Sequence, residues 1–321
     1  MSAAQNRFKQ ARTAVRSAQY GGLQMSAVLP PSAMPAPVAV VRSRSHGANV
    51  MRRLLRNPIA MTAAAVILLL VLVAIFAPWI MPVDPFATSM FKRLKPIGTP
   101  GFPLGTDELG RDMLSRLMLG GRLSLFMGIA PVLMAFVIGS GIGILAGYAG
   151  GGINTVLMRC VDVLYAFPSV LLAIALSGAL GAGITNALVS LTVVFVPQIA
   201  RIAESVTTQV RRSDYVDAAR ASGAPAFTIV RRHVLGNVIG PIFVYATSLI
   251  SVSMILASGL SFLGLGVKPP QPEWGLMLNT LRTAIYSQPW IAALPGVLIF
   301  VTSVSFNMLA DGLRTAMEVK Q

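Results

Sequence analysis

Apolar residues are gathered into long stretches with almost no charge, and short polar segments separate these stretches. The first, residues 59–80, would be about 33 Å long as a helix, which is enough to cross a hydrocarbon core of about 30 Å. Five more follow, at residues 123–148, 163–180, 184–203, 238–263 and 291–309. The pattern predicts an all-α membrane protein with six transmembrane helices, and the third is the weakest because Phe167 and Pro168 interrupt it.

Composition agrees with a membrane protein. Charged residues make up 12% of the chain and apolar residues 55%, whereas soluble domains carry about 25% charged residues. The net charge of +15 would suggest nucleic-acid binding on a soluble surface, but no basic stripe is interleaved with aromatic residues. The single cysteine, Cys160, excludes an internal disulfide and a cysteine-clustered metal site. We therefore expect no metal and no nucleic acid.

Basic residues set the expected orientation. Nine of them precede the first stretch and no acidic residue accompanies them, so the positive-inside rule places the N-terminus in the cytoplasm. With six spans the C-terminus is cytoplasmic too, and so is the arginine-rich segment between the fourth and fifth spans. The loop between the first two spans is then external, although it carries Lys92, Arg93, Lys95, Arg111 and Arg116. This is a partial conflict with the rule.

The same pattern predicts four regions. Residues 1–57 are expected to form an N-terminal tail without a packed core, because their apolar residues follow no helical period. Residues 58–121 contain the first transmembrane helix and the external loop, 122–316 the other five helices, and 317–321 a C-terminal tail. The tail is too long for the n-region of a signal peptide, so the first helix is expected to remain uncleaved. Translation starting at Met25 or Met51 is a further hypothesis.

Residues that could perform catalysis are scarce. No Gly-Lys-Ser/Thr sequence is present, so a P-loop is absent, and the two histidines, His46 and His233, form no metal-binding pair or triad. No acidic or basic residue lies in the middle of an apolar stretch, as the relays of proton-coupled carriers require. The sequence therefore predicts a permease without catalytic residues, driven by another subunit. A secondary carrier and a membrane-embedded enzyme are the alternatives.

The cytoplasmic segment 213–237 has the clearest local signals. Asp214 can cap a short helix, Gly223 suits the left-handed residue that ends it, and Pro225 suits the first position of the next helix. Phe227, Val230 and Val234 would then form an apolar stripe. The segment predicts two short helices that either dock on a partner or lie on the membrane surface as an ordinary hairpin.

Several polar and small residues in the other segments are also candidates. In the external loop, Asp107, Arg111 and Asp112 could form a charge network, which is either structural or in contact with the binding protein or peptide termini. Glu273 and Trp274 follow a proline-rich turn, where Trp274 would be an anchor at the headgroup level or part of a gate. Two further expectations are a local Arg159–Asp162 pair and close helix packing at the glycines of the second span, which are Gly139, Gly141, Gly143 and Gly147.

Longer strings resemble a known family. Residues 217–223, with Ile229, His233 and Asn237, resemble the EAA loop of permeases in binding-protein-dependent ABC importers; Asp217 replaces the usual Glu, and Gly236 replaces a frequent Pro. Four more strings resemble the C-type permease of dipeptide, oligopeptide and nickel importers, and they lie at residues 104–125, 262–266, 269–275 and 306–314.

The resemblance implies an ABC importer permease fold with a cytoplasmic coupling helix. Its ATPase-coupling residues would be Asp217, Ala218, Ala219, Arg220 and Gly223. It also implies a place in a bacterial inner membrane, in contact with lipid, and three kinds of partner: a B-type permease, two ATPase subunits and an external substrate-binding protein. ATP and magnesium would bind only to the ATPases, and the cargo would be di- or oligopeptides. Importers of nickel or of another solute class are the alternatives.

Overall fold

The computed structural model describes residues 46–317, and their secondary structure is helical apart from two isolated β-bridges. In chain order the α-helices are α1 His46–Leu55, α2 Pro58–Ile80, α3 Met113–Ala149, α4 Gly151–Tyr165, α5 Ser169–Leu180, α6 Ile184–Arg211, α7 Asp214–Ala221, α8 Ala226–Ile229, α9 Leu235–Phe262, α10 Trp274–Thr280 and α11 Pro289–Met317. A π-helical turn, Val230–Val234, joins α8 to α9. Short 3₁₀ helices lie at Met90–Lys92 and Ala284–Tyr286.

The predicted membrane helices are present. In the described part of the chain, α2, α3, α6, the continuous α8–α9 helix and α11 are each long and apolar enough to cross a membrane. The third predicted span corresponds to α4 and α5, which meet at an angle of 85°. The bend follows Phe167, where Pro168 precedes the first residue of α5 and cannot donate a backbone hydrogen bond. The number of spans is therefore six when this bent pair counts as one crossing.

Helix ends lie outside the apolar stretches from which they were predicted. The predicted fourth span stopped at residue 203, yet α6 continues to Arg211. Polar caps explain two of the starts: the Asn57 side chain accepts hydrogen bonds from the first turn of α2, and Asp112 accepts one from Ser115 N at the start of α3. These caps satisfy backbone groups that a helix end leaves unpaired.

Among the helices of residues 46–317, α3 and α6 share the most extensive contact, and small residues make their close approach possible. Gly139, Gly143 and Gly147 face the backbone of α6. A Cβ atom on Gly143 would lie 2.6 Å from the Ala203 Cβ, whereas one on Gly141 would meet no heavy atom within 4 Å. The close packing predicted for this stretch is confirmed at three of its four glycines. The fourth, Gly141, faces away from the contact.

The helices α1 and α2 pack against α11 at the edge of the bundle. The residues that α2 buries are four alanines, Ala60, Ala63, Ala74 and Ala77. Ala60 lies against Gly312 of α11, where an added Cβ would collide with the Ala60 side chain. The remaining surface of α2 is largely exposed leucine, isoleucine and phenylalanine, as expected of a helix in contact with lipid.

Most of the tail predicted at residues 1–57 lies outside the described residues. Its last part is not a tail, because His46–Leu55 is a helix. Arg52 and Arg53 lie in the last turn of this helix, where basic side chains interact favourably with the helix dipole.

Candidate functional sites

The segment predicted to couple to a partner forms a short helix and a glycine turn. Helix α7 ends at Ala221, and Gly223 has φ of +76°, a left-handed conformation that side chains with a Cβ rarely adopt. Gly223 N donates to Arg220 O, and Ala224 N donates to Ala219 O, which closes the turn. The helix, the turn and the left-handed conformation of Gly223 are as the sequence predicted.

The predicted coupling residues divide between an exposed and a buried face. Asp217, Ala218, Arg220 and Gly223 are exposed, whereas Ala219 is half-buried and packs against the core. Arg220 donates to Asp217 Oδ1 over 2.9 Å, and both side chains are open to solvent. The exposed face therefore presents small residues beside a neutralised charge pair, so another protein can approach it closely.

Three contacts attach α7 to the helix bundle. Val216 is fully buried in the main core, and Tyr215 Oη accepts a hydrogen bond of 3.1 Å from Asn237 Nδ2 at the start of α9. The Arg220 guanidinium lies 5.7 Å from the ring centroid of Tyr148 at the end of α3. A displacement of α7 would therefore be transmitted to both α3 and α9.

Two details of this segment differ from the sequence interpretation. The helix cap is Ser213, and Asp214 is the first helical residue. Phe227 is 75% exposed and does not belong to an apolar stripe, because Ile229 is the buried residue of α8. Val234 is fully buried and Val230 packs against the main core, so the predicted stripe is wrong only at Phe227, which precedes the π-helical turn that changes the helical period.

In the loop between α2 and α3, Asp107 is the centre of a buried ion network. Its Oδ2 accepts a 2.6 Å hydrogen bond from Arg111 Nε and lies 3.2 Å from Arg116 Nε. Its Oδ1 accepts from the backbone of Leu109 and Arg111. Asp107 is 2% exposed and Arg116 3%, so the network holds the loop against the start of α3; contact with the binding protein or peptide termini stays a prediction.

Other acids of the loop have different surroundings. Asp112, predicted to join the network, instead caps α3 and accepts from both the backbone and the hydroxyl of Ser115; no ion pair of Asp112 is formed within residues 46–317. Glu108 accepts a 2.9 Å hydrogen bond from Arg111. Burial, followed by the neighbouring charge of Asp107, raises the pKa of Glu108 despite the nearby arginines. Arg116 is the member of the network that sequence reasoning missed.

Glu273 and Trp274 connect the start of α10 to α3. Glu273 accepts hydrogen bonds from Gly275 N and Leu276 N, which caps α10, and from Ser124 Oγ at 3.0 Å. The same Ser124 hydroxyl accepts from Trp274 N, and Trp274 Nε1 donates to Leu117 O over 2.9 Å. Burial raises the pKa of Glu273, although these hydrogen bonds oppose the shift.

The surroundings of Trp274 exclude the anchor interpretation. The side chain is 2% exposed and packs among the buried residues of α3, α9 and α11, so its ring cannot contact lipid headgroups. Neither Glu273, which is 1% exposed, nor Trp274 faces the surface of this chain. Together with Ser124, which sequence reasoning did not assign to them, they fix α10 against α3; a gate role for the pair remains a prediction.

The expected Arg159–Asp162 pair is wrong. Asp162 accepts a 2.5 Å hydrogen bond from Arg201 of α6, and the Arg201 guanidinium also lies 4.9 Å from the ring centroid of Tyr165. Proximity in sequence favoured Arg159, whereas the packing of α4 on α6 brings Arg201 to the carboxylate.

Two family models match the chain. Residues 139–319 match the binding-protein-dependent transport system inner membrane component. The chain belongs to this family. Residues 45–96 match the N-terminal TM domain of oligopeptide transport permease C. The resemblance read from the EAA-like loop and the four further strings is thereby confirmed.

Two relatives that match along most of their length are glutathione transport permeases. The glutathione transport system permease protein GsiD of Pectobacterium atrosepticum is 40% identical over 291 residues, which cover 90% of this chain and 97% of that protein. GsiD of Escherichia coli O6:K15:H31 is 41% identical over 269 residues, which cover 84% of this chain and 89% of that protein.

Solved structures show the shared fold. Two crystal forms of the inward-facing MetNI methionine ABC transporter contain a chain 20% identical to this one, with TM-scores of 0.53 and 0.54. The match covers 64% of this chain and 98% of that chain. The predicted ABC importer permease fold is confirmed, and with the family it defines a multi-pass inner-membrane transport subunit that is not itself an enzyme.

Proposed function

We propose that this chain is one of two permease subunits in an ATP-driven importer of small peptides, including peptides of the size of glutathione. The observation that carries the proposal is the 40% identity to a glutathione transport permease along nearly its whole length. Nickel and other small solutes are the alternative cargo, because permeases of similar sequence pattern serve them. No atom of this chain takes part in a bond-making step.

Coupling to the ATPases is assigned to the exposed face of α7 and its glycine turn. Asp217, Ala218, Arg220 and Gly223 would enter a groove on an ATPase subunit, while Ala219 supports the helix from within. Support comes from the exposure of that face, from the buried side chain of Val216 and from the hydrogen bond between Tyr215 and Asn237. When ATP draws the two ATPases together, α7 would follow, and α3 and α9 would move with it.

The remaining assembly follows from the family. A B-type permease would complete the translocation pathway, two ATPases would bind the ATP and magnesium, and an external binding protein would deliver the cargo. In this arrangement both termini, α7 and the arginines before α2 lie in the cytoplasm, as the positive-inside rule favours. The external loop keeps its excess of basic residues, of which Arg111 and Arg116 are neutralised in the Asp107 network.

The coupling assignment is tested with Gly223→Val in the complete importer reconstituted in liposomes. A β-branched residue in the left-handed region is strained by about 1–2 kcal/mol, so the turn after α7 should rearrange. We expect peptide uptake per ATP hydrolysed to fall several-fold while the protein stays inserted. Gly178→Val on α5 is the matched control, because a Cβ there meets no heavy atom within 4 Å and its backbone is helical.

Uptake per ATP tests the coupling role of the turn, and the identity of the solute that is taken up tests the cargo assignment. Uptake per ATP equal to that of the native importer in Gly223→Val would contradict the coupling role of the turn. Absence of peptide uptake by the native importer, with uptake of nickel or another solute in its place, would contradict the cargo assignment and leave the coupling role intact.

A further inference from the structure

A large groove opens between α9 and α11. Its volume is about 820 Å³, within the range of 300–1,000 Å³ usual for pockets that hold small ligands. The walls are mainly apolar, including Ile255, Phe262 and Phe300, with hydroxyl groups between them. Ser303 lines the groove and is 7% exposed, and its hydroxyl has no hydrogen-bond partner among residues 46–317. The Ser303 oxygen is buried in the groove wall and out of reach of a ligand, so the polar contacts that the groove can offer come from its exposed residues.

Polar residues continue along the groove on the exposed face of α11. Asn307 and Asp311 are four residues apart, so they lie on one face of the helix, and both are exposed. Asn307 lies within the predicted span of residues 291–309, where an amide facing lipid hydrocarbon would be costly, so this residue is expected to face a protein partner or a water-filled space. Asp311 lies just beyond that span on the same face. This face of α11 is therefore turned away from lipid.

Asp311 lies where two cavities meet. Besides the large groove it lines a second cavity of about 510 Å³, together with Tyr245, Ser248 and Arg314. Among the residues that line the large groove, all within the described chain, Asp311 is the only charged one. The two cavities follow α11 from Gly296 to Met317, which is most of the length of this helix.

We propose that this double cavity is the half of the peptide route that the chain contributes, and that Asp311 binds the α-ammonium group of a peptide as it passes from the groove to the second cavity. The inference rests on the proposed peptide cargo. A peptide with a free amino terminus carries one cation that Asp311 can pair with and backbone amides that the exposed Asn307 can bind. The apolar walls tolerate different side chains, which fits cargo of varied sequence.

Thiol accessibility tests the groove without any assumption about cargo. In the complete importer carrying Cys160→Ser, Asn307→Cys should react with a membrane-impermeant methanethiosulfonate reagent during ATP turnover. Val137→Cys is the control, because Val137 is 71% exposed on α3 yet lines no cavity described above. Equal resistance of Asn307→Cys and Val137→Cys to the reagent would show that the face meets lipid and would overturn the proposal.

Binding at Asp311 is tested by protection of the same cysteine. A tripeptide with a free amino terminus, supplied with the binding protein, should slow modification of Asn307→Cys, and adding Asp311→Asn should remove most of that protection. For uptake, we expect Asp311→Asn to lower the rate about tenfold, the typical effect of losing one hydrogen bond between charged groups. Asp311→Glu should retain uptake within about threefold, since the charge remains.

The outcomes distinguish the two proposals. If the native importer takes up peptides and Asp311→Asn does so equally well with unchanged protection, Asp311 has no role in the route and only this inference fails. If the native importer takes up no peptide, the proposed function fails and the assignment of Asp311 to a peptide fails with it. Loss of uptake in Asp311→Asn with protection unchanged would indicate a structural role and would also overturn the proposal.

Discussion

Replacing Gly143 by alanine tests how closely α3 and α6 are packed. The added Cβ would lie 2.6 Å from the Ala203 Cβ and 2.8 Å from the Glu204 backbone nitrogen. Neither is the end of a flexible side chain, so the two helices must separate. Overpacking of this kind costs about 1–3 kcal/mol.

Gly141→Ala provides the matched control. Both glycines are helical residues of α3, so each substitution gains the same helix propensity, about 0.8–1 kcal/mol. A Cβ on Gly141 meets no heavy atom within 4 Å. The difference between the two variants therefore isolates the helix contact and should equal about 1–3 kcal/mol, with Gly143→Ala the less stable.

The assay is thermal unfolding of the purified protein in detergent, followed by far-ultraviolet circular dichroism. For a chain of this size we expect Gly143→Ala to melt several degrees below Gly141→Ala, at about 2–4 °C per kcal/mol. Melting temperatures that agree within one degree would refute the argument that the α3–α6 approach requires glycine at this position.

Two further predictions concern buried charges. Asp107→Asn should destabilise the protein by about 3–5 kcal/mol, because it leaves Arg116 buried without a carboxylate partner and Arg111 with Glu108 alone. Asp162→Asn, which removes an exposed pair, should cost less than about 1 kcal/mol. Fluorescence-detected size-exclusion chromatography after heating compares them, and equal losses would contradict the buried network. Burial raises the pKa of Glu273 above its ordinary value of 4.5, so folding favours the protonated carboxyl. The stability that the protonated carboxyl gives the folded protein is complete below pH 4.5 and is lost as the pH rises through the raised pKa. The melting temperature of the native protein should thus fall relative to Glu273→Gln as the pH rises above 4.5, and a difference independent of pH would count against this explanation.

Features that depend on local sequence were predictable. The membrane helices follow from the apolar content of each stretch, because the free energy of transfer to lipid is additive along a segment. The turn at Gly223 follows from the backbone preference of one residue. Helix ends were less predictable, since α6 continues beyond the apolar stretch to Arg211 through residues whose polarity gives no stop signal.

Contacts between distant segments were not predictable. Ser124 and Glu273 are 149 positions apart, and only the packing of α10 on α3 brings the hydroxyl to the carboxylate. Asp162 has an arginine three residues away in sequence, but the partner in the fold is Arg201. In the same way Asp107 pairs with Arg116 because the loop folds back on the start of α3.

The contact between Ala60 and Gly312 lies beside the residue to which we assign peptide binding. Gly312 is the neighbour of Asp311, and it has no side chain to separate α11 from α2. A residue larger than alanine at position 60 would therefore push this end of α11 away from α2. If α11 borders the peptide route as proposed, such a substitution would alter transport without contacting the cargo.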